Sequence, residues 1–286
     1  MDKQKLISML NKDLAEEHAA IIRYLVHSYL EGEDTPLGAN LLSRCREEMW
    51  HMHWLGMIIG KLGGEPDLKP APYPYDPTNR TSIFESYVSY EKKLISHYNS
   101  EAEKMDDPHI KRVLQGEAWE SDMHAKKFER VLMKLNKKEA SEVPGEKNEL
   151  PEDYSEKIQL LVEYKYNLML RHVRDSWVFQ KEDIFGWNLM DFAMTQMKQL
   201  AHLSEPVAEN GIVPRFELRP ENLSSTLGAA LAKTLENVES SIKRHKALRE
   251  DEETQKHSGE ILNLELSMDQ ENYQAAEIRD WLKRVS

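Results

Sequence analysis

The chain is predicted to be all-α, folded as two tandem four-helix bundles with one long crossover each, and three observations predict it. Leu, Met, Glu, Lys and Ala abound, while the 286 residues hold only 12 Gly and 12 Pro, and no run of alternating β-branched residues marks a strand. Apolar residues recur at helical spacing in four long segments of the first half, roughly 3–31, 37–62, 82–106 and 109–136. The second half then repeats the order of the first. Placing Gly186-Trp187-Asn188-Leu189 on Gly38-Ala39-Asn40-Leu41 carries the alignment without a gap to Pro214 on Pro66, the pattern of a duplicated unit.

The connections set the topology. A short turn around Glu33-Asp34-Thr35-Pro36 joins the first two helices, and Asp106-Asp107-Pro108 joins the third and fourth, with Pro suited to a first helical turn. Between helices two and three, Gly63-Gly64-Glu65-Pro66 opens a stretch carrying Pro66, Pro70, Pro72, Pro74 and Pro77, which reads as extended, polyproline-like chain. At about 3 Å per residue it spans the length of a bundle, about 40 Å. Short, long, short is the one-crossover arrangement. The charged segment 137–153, with Pro144, Gly145 and Pro151, is expected to link a bundle at 1–136 to a second at 154–286. In the second half a proline-bearing connection, 210–222, takes the crossover's place. A last helix, with Ala275-Ala276-Glu277-Ile278 matching Ala125-Lys126-Lys127-Phe128, closes the chain. The boundary between the last two helices falls somewhere in 249–260.

The net charge of −12 argues against nucleic acid or an anionic membrane as partner and suits a protein that attracts cations. The single cysteine, Cys45, excludes an internal disulfide framework and any Cys-based zinc knuckle. No segment has about 18 continuous apolar residues, so no membrane span is expected. Met1-Asp2-Lys3 leads into an amphipathic helix with no apolar signal core, and a reducing, cytoplasmic setting is the expectation.

The functional signal lies inside the apolar stripes. On the second helix Leu41, Cys45, Glu48, Met52, Leu55, Ile59 and Leu62 share one face, with Glu48 inside it and His51 one turn on. A buried unpaired carboxylate costs several kcal/mol, so Glu48 needs a proton, a cationic partner or a metal. The first helix carries Leu10, Leu14, Glu17, Ile21 and Tyr24, and the third Phe84, Tyr87, Glu91, Leu94 and Tyr98. Both thus show Glu-x6-Tyr. The fourth runs Ile110, Leu114, Glu117, Ser121, His124, Phe128, Val131, Leu135, with three polar members. Each helix carries a carboxylate or imidazole near its midpoint, and midpoints meet in an antiparallel bundle. His18, His27, His53, His97 and His109 lie off the stripes and are expected at the surface.

One Glu from each of two helices plus Glu-x-x-His from the others is the arrangement of ferritin-like dimetal proteins. Over residues 3–135 the sequence resembles that family, bacterioferritin and rubrerythrin in particular. The resemblance rests on Glu17 with Tyr24, Glu48-Met49-Trp50-His51, Gly64-Glu65-Pro66 and Glu91. It implies Glu17 and Glu91 as terminal ligands, Glu48 as a bridging ligand and His51 and His124 as nitrogen ligands. The expected cofactor is two ions of iron, or of manganese as a second choice. Helix four departs from the pattern: with His124 aligned, Ser121 stands where the second bridging Glu belongs. Glu120 beside it, or Glu117 one turn earlier, is left to supply that carboxylate, and sliding the alignment by four would match Glu117-x-x-Glu120 to the motif instead.

Carried across the repeat, Glu17 falls on Lys165, Glu48 on Gln196, His51 on Gln199, His124 on Gln274 and Ser121 on Glu271. Amides remove the charge and nitrogen donors, so no metal is expected there; Lys165 is expected to occupy the metal's place, paired with Glu271 and bonded by Gln196 or Gln199. Met49 and Met197 match the motif position that ligates haem in bacterioferritins, but Met is a common core filler and no haem is expected. The resemblance implies ferroxidase- or oxidase-type reactivity toward dioxygen or peroxide. The competing expectation is a non-catalytic tandem scaffold with a vestigial site. A closed ferritin shell is not expected, because the second bundle would cover the surfaces that build one. Monomer or homodimer is the expected state.

Overall fold

The computed structural model describes residues 2–145, 150–182, 185–220 and 222–285, and every regular element among them is helical. The chain divides into two compact units, Met1–Glu146 and Lys147–Ser286.

In the first unit, α1 (Lys3–Glu31) starts at Asp2, whose carboxylate accepts from the Lys5 amide, and stops at Gly32, which takes φ 85°. Helix α2 (Pro36–Lys61) begins with Thr35 as cap and Pro36 in its first turn. The two meet closely. Ser28 Oγ donates to the Gly38 carbonyl at 2.8 Å, and a Cβ at Gly38 would stand 1.9 Å from the Gly32 carbonyl oxygen. Helices α3 (Arg80–Ala102) and α4 (Pro108–Lys134) form the other antiparallel pair, capped by Asn79 and Asp107.

The proline-bearing crossover lies along α1 and runs in the same direction. Asn11 donates to the Glu65 carbonyl at 3.0 Å and accepts from the Asp67 amide at 2.7 Å. Further on, the Ala71 amide reaches the Ala15 carbonyl, and Tyr73 meets Tyr24. Extended chain cannot satisfy its own amides, so α1 supplies partners along its length.

Segment 137–153 does more than link. It carries a short helix, α5 (Lys137–Ser141), and the carbonyl of Glu142 accepts from the Arg80 amide, one of the orphan donors at the start of α3. Arg80 also pairs with Glu31 and Glu142 at 2.7 and 2.5 Å. Residues 146–149 of that expected linker lie outside the described residues.

The second unit holds α6 (Glu152–Val178), α7 (Phe185–Glu209), α8 (Leu227–Arg249) and α9 (Ser258–Val285), with a 3-10 turn at Thr254–Lys256 in the boundary left open above. Its long connection lies along α6. Gln159 donates to the Val213 carbonyl and accepts from the Arg215 amide, the same two bonds that Asn11 makes 148 residues earlier. The core gathers Leu168, Phe185, Leu189, Phe192, Leu231, Val238 and Trp281. His172 is buried against Phe192, with no hydrogen bond to either ring nitrogen among the described residues.

Two measurements follow from these packings. Gly38→Ala is expected to lower the urea stability of the first unit by about 2 kcal/mol, because its methyl group meets rigid backbone. Burial, helped by the nearby charge of Lys165, lowers the His172 pKa from 6.5 to about 3. The stability that depends on neutral His172 is therefore complete above pH 6.5 and declines toward pH 3, at about 1.4 kcal/mol per pH unit. His172→Phe should remove that part of the slope in unfolding measured against pH.

Candidate metal centre

The stripes converge in the middle layer of the first unit. Glu17, Glu48, His51, Glu91 and His124 are all buried there, as is Glu117. Their ligand-type atoms fall into two groups, Glu17–Glu48–His51 and Glu48–Glu91–His124, with the atoms of each group within 4.8 Å of one another. Glu48 belongs to both. Its Oε2 lies 2.8 Å from His51 Nδ1, and its Oε1 lies 2.8 Å from His124 Nδ1.

The surroundings repeat across the bundle. Tyr98 of α3 donates to Glu17 of α1, and Tyr24 of α1 donates to Glu91 of α3 at 2.5 Å. Each imidazole turns Nδ1 inward and gives Nε2 to a carboxylate on the opposing helix: His51 to Glu120 at 2.8 Å, His124 to Glu47 at 2.6 Å. The two rings stack with centroids 6.3 Å apart. This pseudo-twofold breaks at Ser121, which holds on α4 the place that Glu48 holds on α2.

Burial, then the charge of Glu48, pushes the Glu17 carboxyl up to about 8. Burial and Glu48 raise Glu91 as well, and burial holds Glu117 well above the usual carboxylate range. Burial would also raise Glu48, yet His124 and His51 hold it well below the usual carboxylate range. Burial opposes the charge on His124, but Glu48 and Glu47 carry it up to about 12.

The donor set fits divalent metal. Carboxylate oxygens with imidazole nitrogens suit iron, manganese or zinc. Glu48 Oε1, Glu91 Oε2, His124 Nδ1 and both oxygens of Glu117 have no hydrogen-bond partner. The 2.8 Å contact of Glu48 Oε1 with His124 Nδ1 is therefore not an aligned hydrogen bond. Two ligands each about 2.1 Å from one ion, at a right angle, lie about 3 Å apart, so such a contact is the spacing of neighbouring ligands.

The predicted residues thus come together, apart from Glu120. It is 28% exposed and sits on the outer nitrogen of His51, outside both groups. Glu47, its counterpart, was not foreseen, although Glu47-Glu48-x-x-His51 and Glu120-Ser121-x-x-His124 share the same leading Glu. Two expectations need correction. His18 and His27 are buried, because the crossover and α3 cover that flank of α1. His18 Nδ1 bonds the Leu68 carbonyl at 2.8 Å, and His27 bonds Tyr87 and Glu31 at 2.9 and 3.1 Å.

In the second unit the Lys165 ammonium is buried in the same layer. It bonds Gln196 and Gln199 and pairs with Glu271 at 2.6 Å, while Ser241 donates to the same Glu271 oxygen at 2.7 Å. Snorkelling toward solvent is excluded, since Lys165 has no exposed surface. Lys165 holds the Glu271 carboxyl down to about 2 against the effect of burial.

A one-crossover four-helix bundle with buried carboxylates and imidazoles at its midpoint defines the class of carboxylate-lined bundle proteins. Residues 7–138 match the model of the ferritin-like domain family, so the first unit is a ferritin-like domain. Searches among curated proteins and among solved structures return no match.

Lys165→Met is expected to destabilise the second unit by about 3–5 kcal/mol by stranding Glu271, and Lys165→Met with Glu271→Gln to recover most of it. Thermal unfolding of the two variants checks this.

Proposed function

We propose that the first unit binds two divalent ions, iron first and manganese second, and is a ferroxidase- or oxidase-type protein. The observation that carries the reading is Glu48, one carboxylate with an oxygen on each of two imidazole-bearing groups. Glu48 would bridge, Glu17 and Glu91 would hold one ion each, and His51 and His124 would give nitrogen. Bound there, the metal pair supplies redox chemistry toward dioxygen or peroxide.

The chain's own groups orient those ligands. Tyr98 and Tyr24 hold Glu17 and Glu91 in place by donation. Glu120 and Glu47 fix the imidazoles with Nδ1 inward, the usual task of a carboxylate behind a ligating His. Glu117, with two unpartnered oxygens, is the carboxylate available near the side that Ser121 leaves short.

The second unit is read as a duplicated copy whose metal ligands have been exchanged for Lys165 and amides. The matching bonds of Asn11 and Gln159, and the tight glycine turns at Gly38 and Gly186, support this. The protein would act in the cytoplasm as a monomer or homodimer.

Ser121 favours a second reading, a non-catalytic scaffold with a vestigial site. Elemental analysis and aerobic Fe(II) oxidation followed by absorbance separate the two. In the metal reading Glu48→Ala lowers oxidation by more than about 100-fold, since losing even an outer partner costs 10–100-fold. In the scaffold reading no Fe(II) is oxidised, and Glu48→Ala leaves stability unchanged or raises it.

A further inference from the structure

Away from that centre the first unit carries a third set of ligand-type groups. Asp13 on α1 and His97 and Glu101 on α3 bring two carboxylate oxygens and an imidazole nitrogen within 4.8 Å of one another. His97 Nε2 lies 2.8 Å from Asp13 Oδ1 and 3.6 Å from Glu101 Oε2. Asp13 is fully buried, and neither its Oδ2 nor Glu101 Oε2 has a hydrogen-bond partner. The buried charge of Asp13 must be met by a proton on His97, a proton on Glu101 or a bound cation, and the unpartnered Asp13 Oδ2 and Glu101 Oε2 leave room for the last. His97 is 37% exposed, so the cluster opens to solvent.

The cluster also faces the centre. Asp13 precedes Glu17 by one turn, about 6 Å along α1, and His97 precedes Tyr98, which donates to Glu17. Glu117, buried and with both oxygens unpartnered, is close enough to act electrostatically on both Asp13 and His51. In the second unit the same layer is largely apolar. Matching the buried positions of α8 to those of α3, and of α6 to those of α1, puts Leu161, Arg244 and Leu248 where Asp13, His97 and Glu101 stand. The unit that lost its central ligands has lost this cluster too.

The geometry points to a third divalent-cation site, formed by Asp13, His97 and Glu101, through which cations enter from solvent and pass by Glu117 toward the centre. An N,O,O set with an open side takes iron(II), manganese(II) or cobalt(II). The site itself does not depend on the central pair being filled, but its role as an entry does.

Cobalt(II), which is stable in air, is the probe, counted per chain after equilibrium dialysis, with circular dichroism confirming that each variant is folded. The expected counts are three for the unaltered protein, two for His97→Gln and for Asp13→Asn, and one for Glu48→Ala. Cobalt filling of the centre, read by its visible absorption, should slow severalfold in His97→Gln. Equal counts in the unaltered protein and both cluster variants would overturn the site, and an unchanged filling rate would overturn its entry role. One cobalt in the unaltered protein and none in His97→Gln would instead sink the central pair while sustaining this site.

Discussion

The cost of burying charge in the middle layer of a helical bundle organises this protein. A carboxylate taken out of water must find a proton, a cation or a metal, and each four-helix unit brings several polar groups to that layer. Helix lengths, crossovers and caps serve to hold the layer in register. Asn11, Ala15, His18 and Tyr24 fasten the crossover along α1, and this keeps Glu17 and Tyr24 facing their partners on α2 and α3.

The two units meet that cost differently. In the first, four carboxylates and two imidazoles crowd the layer, and His124 and His51 hold Glu48 well below the usual carboxylate range. The unpartnered oxygens of Glu48, Glu91 and Glu117 show that hydrogen bonds alone do not complete it. In the second, one ammonium meets one carboxylate, and amides fill the remaining directions. One oxygen of Glu271 keeps no hydrogen-bond partner there and lies 3.2 Å from His245 Nδ1.

Much of this was legible before any coordinates. Glu17, Glu48, Glu91 and His124 announced themselves as polar members of apolar stripes, and Lys165, which the alignment of the two halves sets opposite Glu17, marked the second unit as different. Glu120, considered only because it adjoins Ser121 in the chain, sits on the outer nitrogen of His51, and adjacency in sequence does not show which side of an imidazole a residue touches. Glu47 escaped notice since it lies off the stripe, one residue from Glu48. His18 and His27 looked like surface residues because period alone treats a helix as having one buried face, whereas α1 packs against α2, α3 and the crossover.

The sequence by itself determined the all-helical class, the short–long–short connections and the identity of the central ligand-type residues, because each of these is written in local period, in proline placement or in a charge at an apolar position. Only the tertiary structure decided the rest. The sharing of Glu48 between two groups, the inward turn of each Nδ1, the outer carboxylates of Glu47 and Glu120, and the meeting of Asp13 with His97 and Glu101 all depend on the register between helices far apart in the chain. Such register is set by packing across the whole bundle, and no single helix carries it.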